Sequence, residues 1–400
     1  MPTSVEFWAV GTTASGLLPL DVDDISGHLL ADWVPSLPTA VGSSFMGWPP
    51  FLLESTMLGG AEVLALRAET RRSERQWKGV LSWMLGVAGA RHVLKREGYR
   101  WVAPLSAFYP GISQPVDLSA WHPAFPPSRI VADRLPGSTS RLRPDYVALR
   151  STSIAMSNGI YQWAVAEAKG TQKSLTSAKA CPIAWTNQSR NVVLSINGSR
   201  ITIPRHLVIA TRVNPNAASP FARRIQVRAW NRSNPPEQPL LSHDAAIEIV
   251  SAHLFGLFRG MGLLENALAI ALSVQARSKT WNQGLFGTPE DIIAGVSDRA
   301  ETELFRRTRG SDAQTKDAGV RALSLETQLG PVEIDIAEPV LKLARHLRGV
   351  ETADAATVLQ EVDAQLDAWE KSRREAKSDE GTVVMPFGVE LHLPRRFDRQ

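Results

Sequence analysis

The stretches RLRPDYVALR (141–150) and IYQWAVAEAKG (160–170) decide how this chain is read. Each is rich in β-branched and aromatic residues, and Ser157-Asn158-Gly159 between them is a turn signal, so the pair predicts two antiparallel strands. Alternate residues of a strand share a face. Trp163, Val165, Glu167 and Lys169 therefore point one way, and Ala164, Ala166 and Ala168 the other. The alanine face is smooth enough for a helix to pack closely. The other face is apolar at its start and charged at its end, which places Glu167 and Lys169 at the sheet edge near solvent. An antiparallel hairpin brings the start of the first strand, Asp145, beside the end of the second, Glu167. Two carboxylates and a lysine so placed suit a hard divalent cation beside a phosphodiester.

The surroundings extend the pattern. A helical run over 61–97 comes first, with Leu64, Trp77, Leu81, Met84 and Leu85 at helical spacing. A strand over Arg100–Phe108 follows. After Lys169 come a helical stretch interrupted by Pro182 and the apolar strand His206–Arg212. This order, with Pro144-Asp145 placed 22 residues before Glu167-Ala168-Lys169, resembles the PD-(D/E)XK nuclease superfamily over residues 62–213.

The resemblance implies a restriction-endonuclease-like α/β fold, a mixed central sheet flanked by helices. It also implies that Asp145, Glu167 and the Ala168 carbonyl bind Mg²⁺ or Mn²⁺ and that Lys169 is the catalytic lysine. A glutamate from the first helix often joins such a site, and Glu74 is favoured over Glu69 for that part. Some family members place a glutamine on the helix after the motif, which makes Gln188 a candidate beside nucleic acid. Arg141, Arg143, Lys173 and Lys179 would grip the backbone. Taken singly, an Asp at a strand start is a turn former, and Glu-x-Lys at a strand end is a weak surface ion pair. Their joint order favours the nuclease.

Charge points the same way. The net charge of +4 hides three unlike segments. Residues 1–60 have six acidic and no basic side chains, and 61–240 have 25 basic and 9 acidic. Residues 241–400 have 19 basic and 25 acidic. A basic middle is the footprint of a polyanion partner. The acidic flanks could also dock there.

These segments give the expected organisation: an acidic N-terminal extension (1–60), a basic nuclease-like domain (61–240) and a mainly helical C-terminal domain with a terminal β-hairpin (241–400). In the last, 252–274 reads as a buried helical hairpin, because His253, Arg259 and Glu265 and the glycines Gly256, Gly260 and Gly262 interrupt it. Thr288-Pro-Glu-Asp reads as a helix start, and Leu359, Val362, Leu366 and Trp369 as a core stripe. The proline-rich 110–136 reads as a long loop. One cysteine, Cys181, precludes an internal disulfide and fits a reducing, cytoplasmic compartment. No secretory signal, membrane span, structural-zinc set or phosphate-binding loop is evident.

The expected function is a Mg²⁺-dependent nuclease acting on DNA rather than RNA, with phage defence or restriction as the setting by family analogy. A partner protein or a second copy would bind through the C-terminal helices. Two other readings fit the residues: a non-catalytic nucleic-acid-binding or assembly subunit, and a metal-independent interaction protein.

Overall fold

The computed structural model describes residues 4–11, 15–20, 22–33, 57–58, 63–110, 125–138, 142–150, 161–173, 175, 180–219, 221–232, 241–278, 288–308, 320–327, 330–348, 353–376, 382–385 and 387–392. The fold is mixed α/β. Its centre is a seven-stranded sheet of β1 (Ser4–Trp8), β2 (Gly16–Pro19), β5 (Tyr99–Pro104), β7 (Tyr146–Arg150), β8 (Trp163–Thr171), β11 (His206–Arg212) and β12 (Gln226–Asn231). Their spatial order is β2-β1-β12-β11-β8-β7-β5. The two motif strands pair antiparallel as expected, with Tyr146 opposite Ala166 and Leu149 opposite Trp163. β5 pairs antiparallel with β7, and β11 lies parallel to β8. The acidic first segment extends this sheet, because β1 pairs parallel with β12.

The smooth face of β8 takes a helix, as its alanines predict. Helix α2 (Arg75–Arg96) lies on it, and Ala164 and Ala166 share a buried cluster with Leu81, Met84 and Leu85. The helix is shorter than the run read from the sequence. Residues 65–66 form strand β4, paired with β3 (Met57–Leu58), and 68–72 form a 3₁₀ turn. Helix and strand meet at glycines. A Cβ on Gly170 would come within 1.9 Å of the Ser82 carbonyl oxygen, and one on Gly86 within 2.5 Å of the Gly170 nitrogen. Helix α1 (Val22–Trp33) packs against α2.

The opposite face is covered from three directions. Helix α3 (Ile183–Arg190) packs on β8 and β11, its neighbour Cys181 buried with Val208, Ala210 and Trp230. Helix α4 (His243–Gly260) packs on β5 and β7. It turns through Met261–Leu263 into α5 (Leu264–Arg277), the expected helical hairpin. Strands β6 (Ile130–Asp133), β9 (Val193–Ile196) and β10 (Ser199–Ile201) form a small sheet in the order β10-β9-β6. The described end of the expected 110–136 loop therefore contains a strand; 111–124 lie outside the described residues.

The remainder is more than helices. Beside α6 (Pro289–Thr308), α7 (Glu338–Leu347) and α8 (Ala353–Ala376) stands a four-stranded antiparallel sheet. It contains β13 (Val320–Thr327), β14 (Gly330–Ile336), β15 (Thr382–Met385) and β16 (Val389–His392). The terminal hairpin β15–β16 is as read; β13–β14 is an addition. Thr288 caps α6, its hydroxyl accepting from the Asp291 amide at 3.3 Å. Leu359, Val362 and Leu366 are core, in one cluster with Trp101, Trp163 and Phe258. The core thus runs across the expected boundary between 240 and 241; residues 233–240 lie outside the described residues. No described helix is long and apolar enough to cross a membrane.

The glycine contact gives the first test. Gly170→Ala forces backbone against backbone and should cost about 1–3 kcal/mol. Gly79→Ala, on the same helix with nothing within 4 Å of its Cβ, should instead be neutral or stabilise by up to about 1 kcal/mol. Urea denaturation of both variants measures this. Equal midpoints would contradict the packing described.

Candidate metal and phosphodiester site

β7 is shorter than β8, and that mismatch builds the site. Beyond the Tyr146–Ala166 pair no residue of β7 faces β8. Asp145 takes over there, its amide donating to the Ala166 carbonyl at 3.1 Å and its Oδ2 accepting from the Ala168 amide at 2.8 Å. Backbone groups on one side of a strand belong to alternate residues, so the Ala168 carbonyl also faces the Asp145 side. A cleft of ≈ 350 Å³ opens at this point. Asp145, Glu167, Ala168, Lys169 and Gln188 all line it.

Glu167 is buried, only 1% exposed, which corrects the expectation that it stands near solvent. β8 is an interior strand, and helices cover both of its faces. Glu167 Oε1 lies 2.5 Å from Lys169 Nζ. Its Oε2 is buried with no hydrogen-bond partner among the described residues. Burial pushes the Glu167 carboxyl up from 4.5 to about 8, the nearby Asp145 charge adds to this, and Lys169 opposes both without prevailing. The site therefore sets two carboxyls against one lysine, and its protein surroundings do not favour both in the charged form.

Gln188 is in place despite Pro182. Proline provides the N-cap position of α3 and leaves the rest of the helix intact. Lys169 Nζ donates to Gln188 Oε1 at 2.6 Å, and Gln188 Nε2 donates to the Arg143 carbonyl at 3.0 Å. Helix, lysine and the chain leading into Asp145 are thereby tied together. The Arg143 guanidinium stacks 4.0 Å above the Tyr109 ring.

The remaining expected residues lie outside the cleft lining or outside the described residues. Glu74 is the exposed N-cap residue of α2. It stands nine residues before Trp83, roughly 13 Å along the axis, and does not line the cleft. The helix instead presents Trp83, Val87 and Arg91. Lys173 is exposed beyond the end of β8 and also outside the cleft lining. Arg141 and Lys179, like the turn at 157–159, lie outside the described residues.

The structure adds residues the sequence reading missed. Tyr109 contacts the chain before Asp145, and burial, reinforced by Asp145, lifts its hydroxyl to about 12. Buried Arg91 lies over the Tyr146 ring at 5.2 Å. His253 of α4 also lines the cleft. Its Nδ1 lies 2.9 Å from the Val102 carbonyl on edge strand β5. Burial lowers it to about 4, so it is neutral at physiological pH. Trp83, 52% exposed, and Leu142, 61% exposed, put apolar surface at the mouth. The spacing of 83, 87 and 91 on one helix face was available as a signal; the reach of His253 depends on tertiary packing.

No three His, Cys, Asp or Glu side chains cluster to hold a metal ion among the described residues. The donor set is two carboxylates and a carbonyl. That set fits Mg²⁺, which is commonly held by one or two carboxylates with water and substrate phosphate completing its shell. The unpartnered Glu167 Oε2 and the suppressed ionisation of Glu167 are what a bound cation would relieve. No family model, curated protein or solved structure matches the chain.

The raised Glu167 carboxyl has a sign that can be checked. Its protonated form is favoured on folding, so this contribution is full below the ordinary value near 4.5 and disappears as pH rises through about 8. In EDTA, Glu167→Gln should gain stability relative to wild type between pH 5 and 9, by up to a few kcal/mol. Thermal melts across that range measure it, and a pH-independent difference would contradict the site's electrostatics.

Proposed function

We propose that the chain is a Mg²⁺-dependent phosphodiesterase of restriction-endonuclease-like architecture, acting on DNA. The observation that carries this reading is the convergence of Asp145, Glu167 and Lys169 at one end of β7 and β8, with Gln188 clamped onto the lysine. The order α2-β5-β7-β8-α3-β11, with a three-strand antiparallel meander followed by a parallel strand, supports the same architecture. So does the position of the cleft within the basic segment of the chain.

Asp145, Glu167 and the Ala168 carbonyl would hold the cation. When bound, it supplies Lewis-acid neutralisation of charge developing on the phosphate. Lys169 is held on two sides, by Glu167 and Gln188, so its remaining N–H can orient a water or a phosphoryl oxygen without the ammonium having to reorganise. Gln188 sets the lysine's rotamer. The Trp83 and Leu142 rim offers apolar surface for sugar or base faces, which are contacts without a sequence code. Arg91, which lines the cleft, and Arg143, two residues before Asp145, would add positive charge around the site.

The test is cleavage of DNA and RNA with Mg²⁺ or Mn²⁺ and with EDTA. Wild type should cut DNA in a metal-dependent way. Asp145→Asn and Lys169→Met should each lose at least about a hundredfold, and Gln188→Ala less, through the lysine's position. Salt-sensitive DNA binding without cutting would favour the non-catalytic nucleic-acid-binding subunit. Absence of both would remove the nucleic-acid reading.

A further inference from the structure

A second groove, of ≈ 380 Å³, lies on the other side of the end of α3. Arg190, Arg200, His206 and Arg232 line it, with apolar side chains of β9, β10 and the segment before β11 between them. Among the described residues no acidic side chain is part of its lining. The three guanidiniums come from three separate elements. Arg190 ends α3, Arg200 stands exposed on β10, and Arg232 follows β12. The groove is also a built feature. Arg190 Nε donates to the Arg232 carbonyl at 3.1 Å, which joins two of its walls. His206 Nδ1 lies 2.8 Å from the Ser189 carbonyl. Arg232 Nε is buried with no hydrogen-bond partner among the described residues. A buried guanidinium nitrogen left without an acceptor costs free energy that an incoming oxyanion would recover.

Position ties this groove to the cleft. His206 is in register with Val165 of β8, two residues before Glu167 on the same face. Two residues of strand span roughly 7 Å, about two nucleotide steps at 3.4 Å each. Gln188 faces the cleft and Arg190 the groove, so one short helix separates them. Among the described residues the lining contains no Phe, Tyr or Trp ring for base stacking.

We propose that the Arg190–Arg200–Arg232 groove seats the phosphates of the nucleic-acid strand that enters the cleft, a few nucleotides from the bond to be cut, and so reads backbone and not sequence. The assignment rests on the nuclease reading for the identity of the polyanion. It sets a path for the strand across the end of α3, and none of its three arginines was among the expected contacts.

The experiment is fluorescence anisotropy of a labelled DNA duplex in EDTA across a salt series, with cleavage in Mg²⁺ measured in parallel. The proteins are wild type, Arg200→Glu, Arg200→Ala/Arg232→Gln and Asp145→Asn. Arg200 is exposed, so Arg200→Glu keeps the test valid if the double variant fails to fold. The double variant should bind more weakly on every sequence, with a log–log salt slope reduced by about 2, close to 0.9 per lost phosphate contact. Arg200→Glu should also weaken binding, and Asp145→Asn should bind fully but not cut. Unchanged affinity and slope in folded groove variants, with wild-type cutting intact, would overturn the groove and leave the nuclease standing. Weakened binding in a protein that never cuts would support the groove and sink the nuclease. A wild type that binds no DNA would overturn both.

Discussion

Strand β8 is buried on both faces, and the two faces have different tasks. The small side chains of one let α2 approach until Gly170 meets the Ser82 carbonyl. The other carries Trp163 and Val165 into the main core and then, in two more residues of the same face, Glu167 and Lys169. Because α2 seats so closely, the strand cannot slide or tilt without backbone collision. The position of Glu167 beside Asp145 is therefore fixed by packing on the opposite side of the sheet. Register does the rest, since a slip of one residue would turn both charged side chains onto the helix face.

A buried carboxyl next to another carboxylate is costly, and nothing in the core requires it. Burial and Asp145 both push Glu167 toward its neutral form. Lys169 answers part of that charge, but it is shared with Gln188. Elsewhere in the molecule a buried carboxylate meets a buried guanidinium. Glu248 takes Arg277, which also bonds Ser251 and the Leu347 carbonyl. Arg100 takes the Asp363 side chain and carbonyl. In those pairs too Glu248 Oε2 and Arg100 Nε lack a partner among the described residues; Asp145 and Glu167 differ in being two carboxyls beside one lysine, lining a cleft in a segment with 25 basic and 9 acidic residues. Under the proposed function, that combination suits a cation and a phosphate held together.

The hairpin, the division of the faces of β8 and the approach of a helix were legible because all three follow from two-residue periodicity and side-chain size. Gln188 was legible as well, and Pro182 misled only in suggesting a broken helix, since proline is accommodated at a helix start. Glu74 was misplaced because amphipathic spacing does not tell where along its length a 22-residue helix crosses the sheet. Strands β13 and β14 were missed in a segment read as helical by its neighbours. The arginine groove draws on α3, β10 and the end of β12, far apart in the chain, and charge counting alone gave only the total. His253 reached the cleft through the packing of α4 on β5, a contact with no local signal.

The claim on which the account turns is that Asp145 and Glu167 hold a divalent cation. Titration of Mn²⁺ into the metal-free protein, followed by electron paramagnetic resonance of the free ion, tests it without substrate or turnover. The account predicts one site in wild type at millimolar or tighter affinity, lost in both Asp145→Asn and Glu167→Gln and retained in Lys169→Met. Binding that persists in both carboxylate variants, or no binding in wild type, would contradict it.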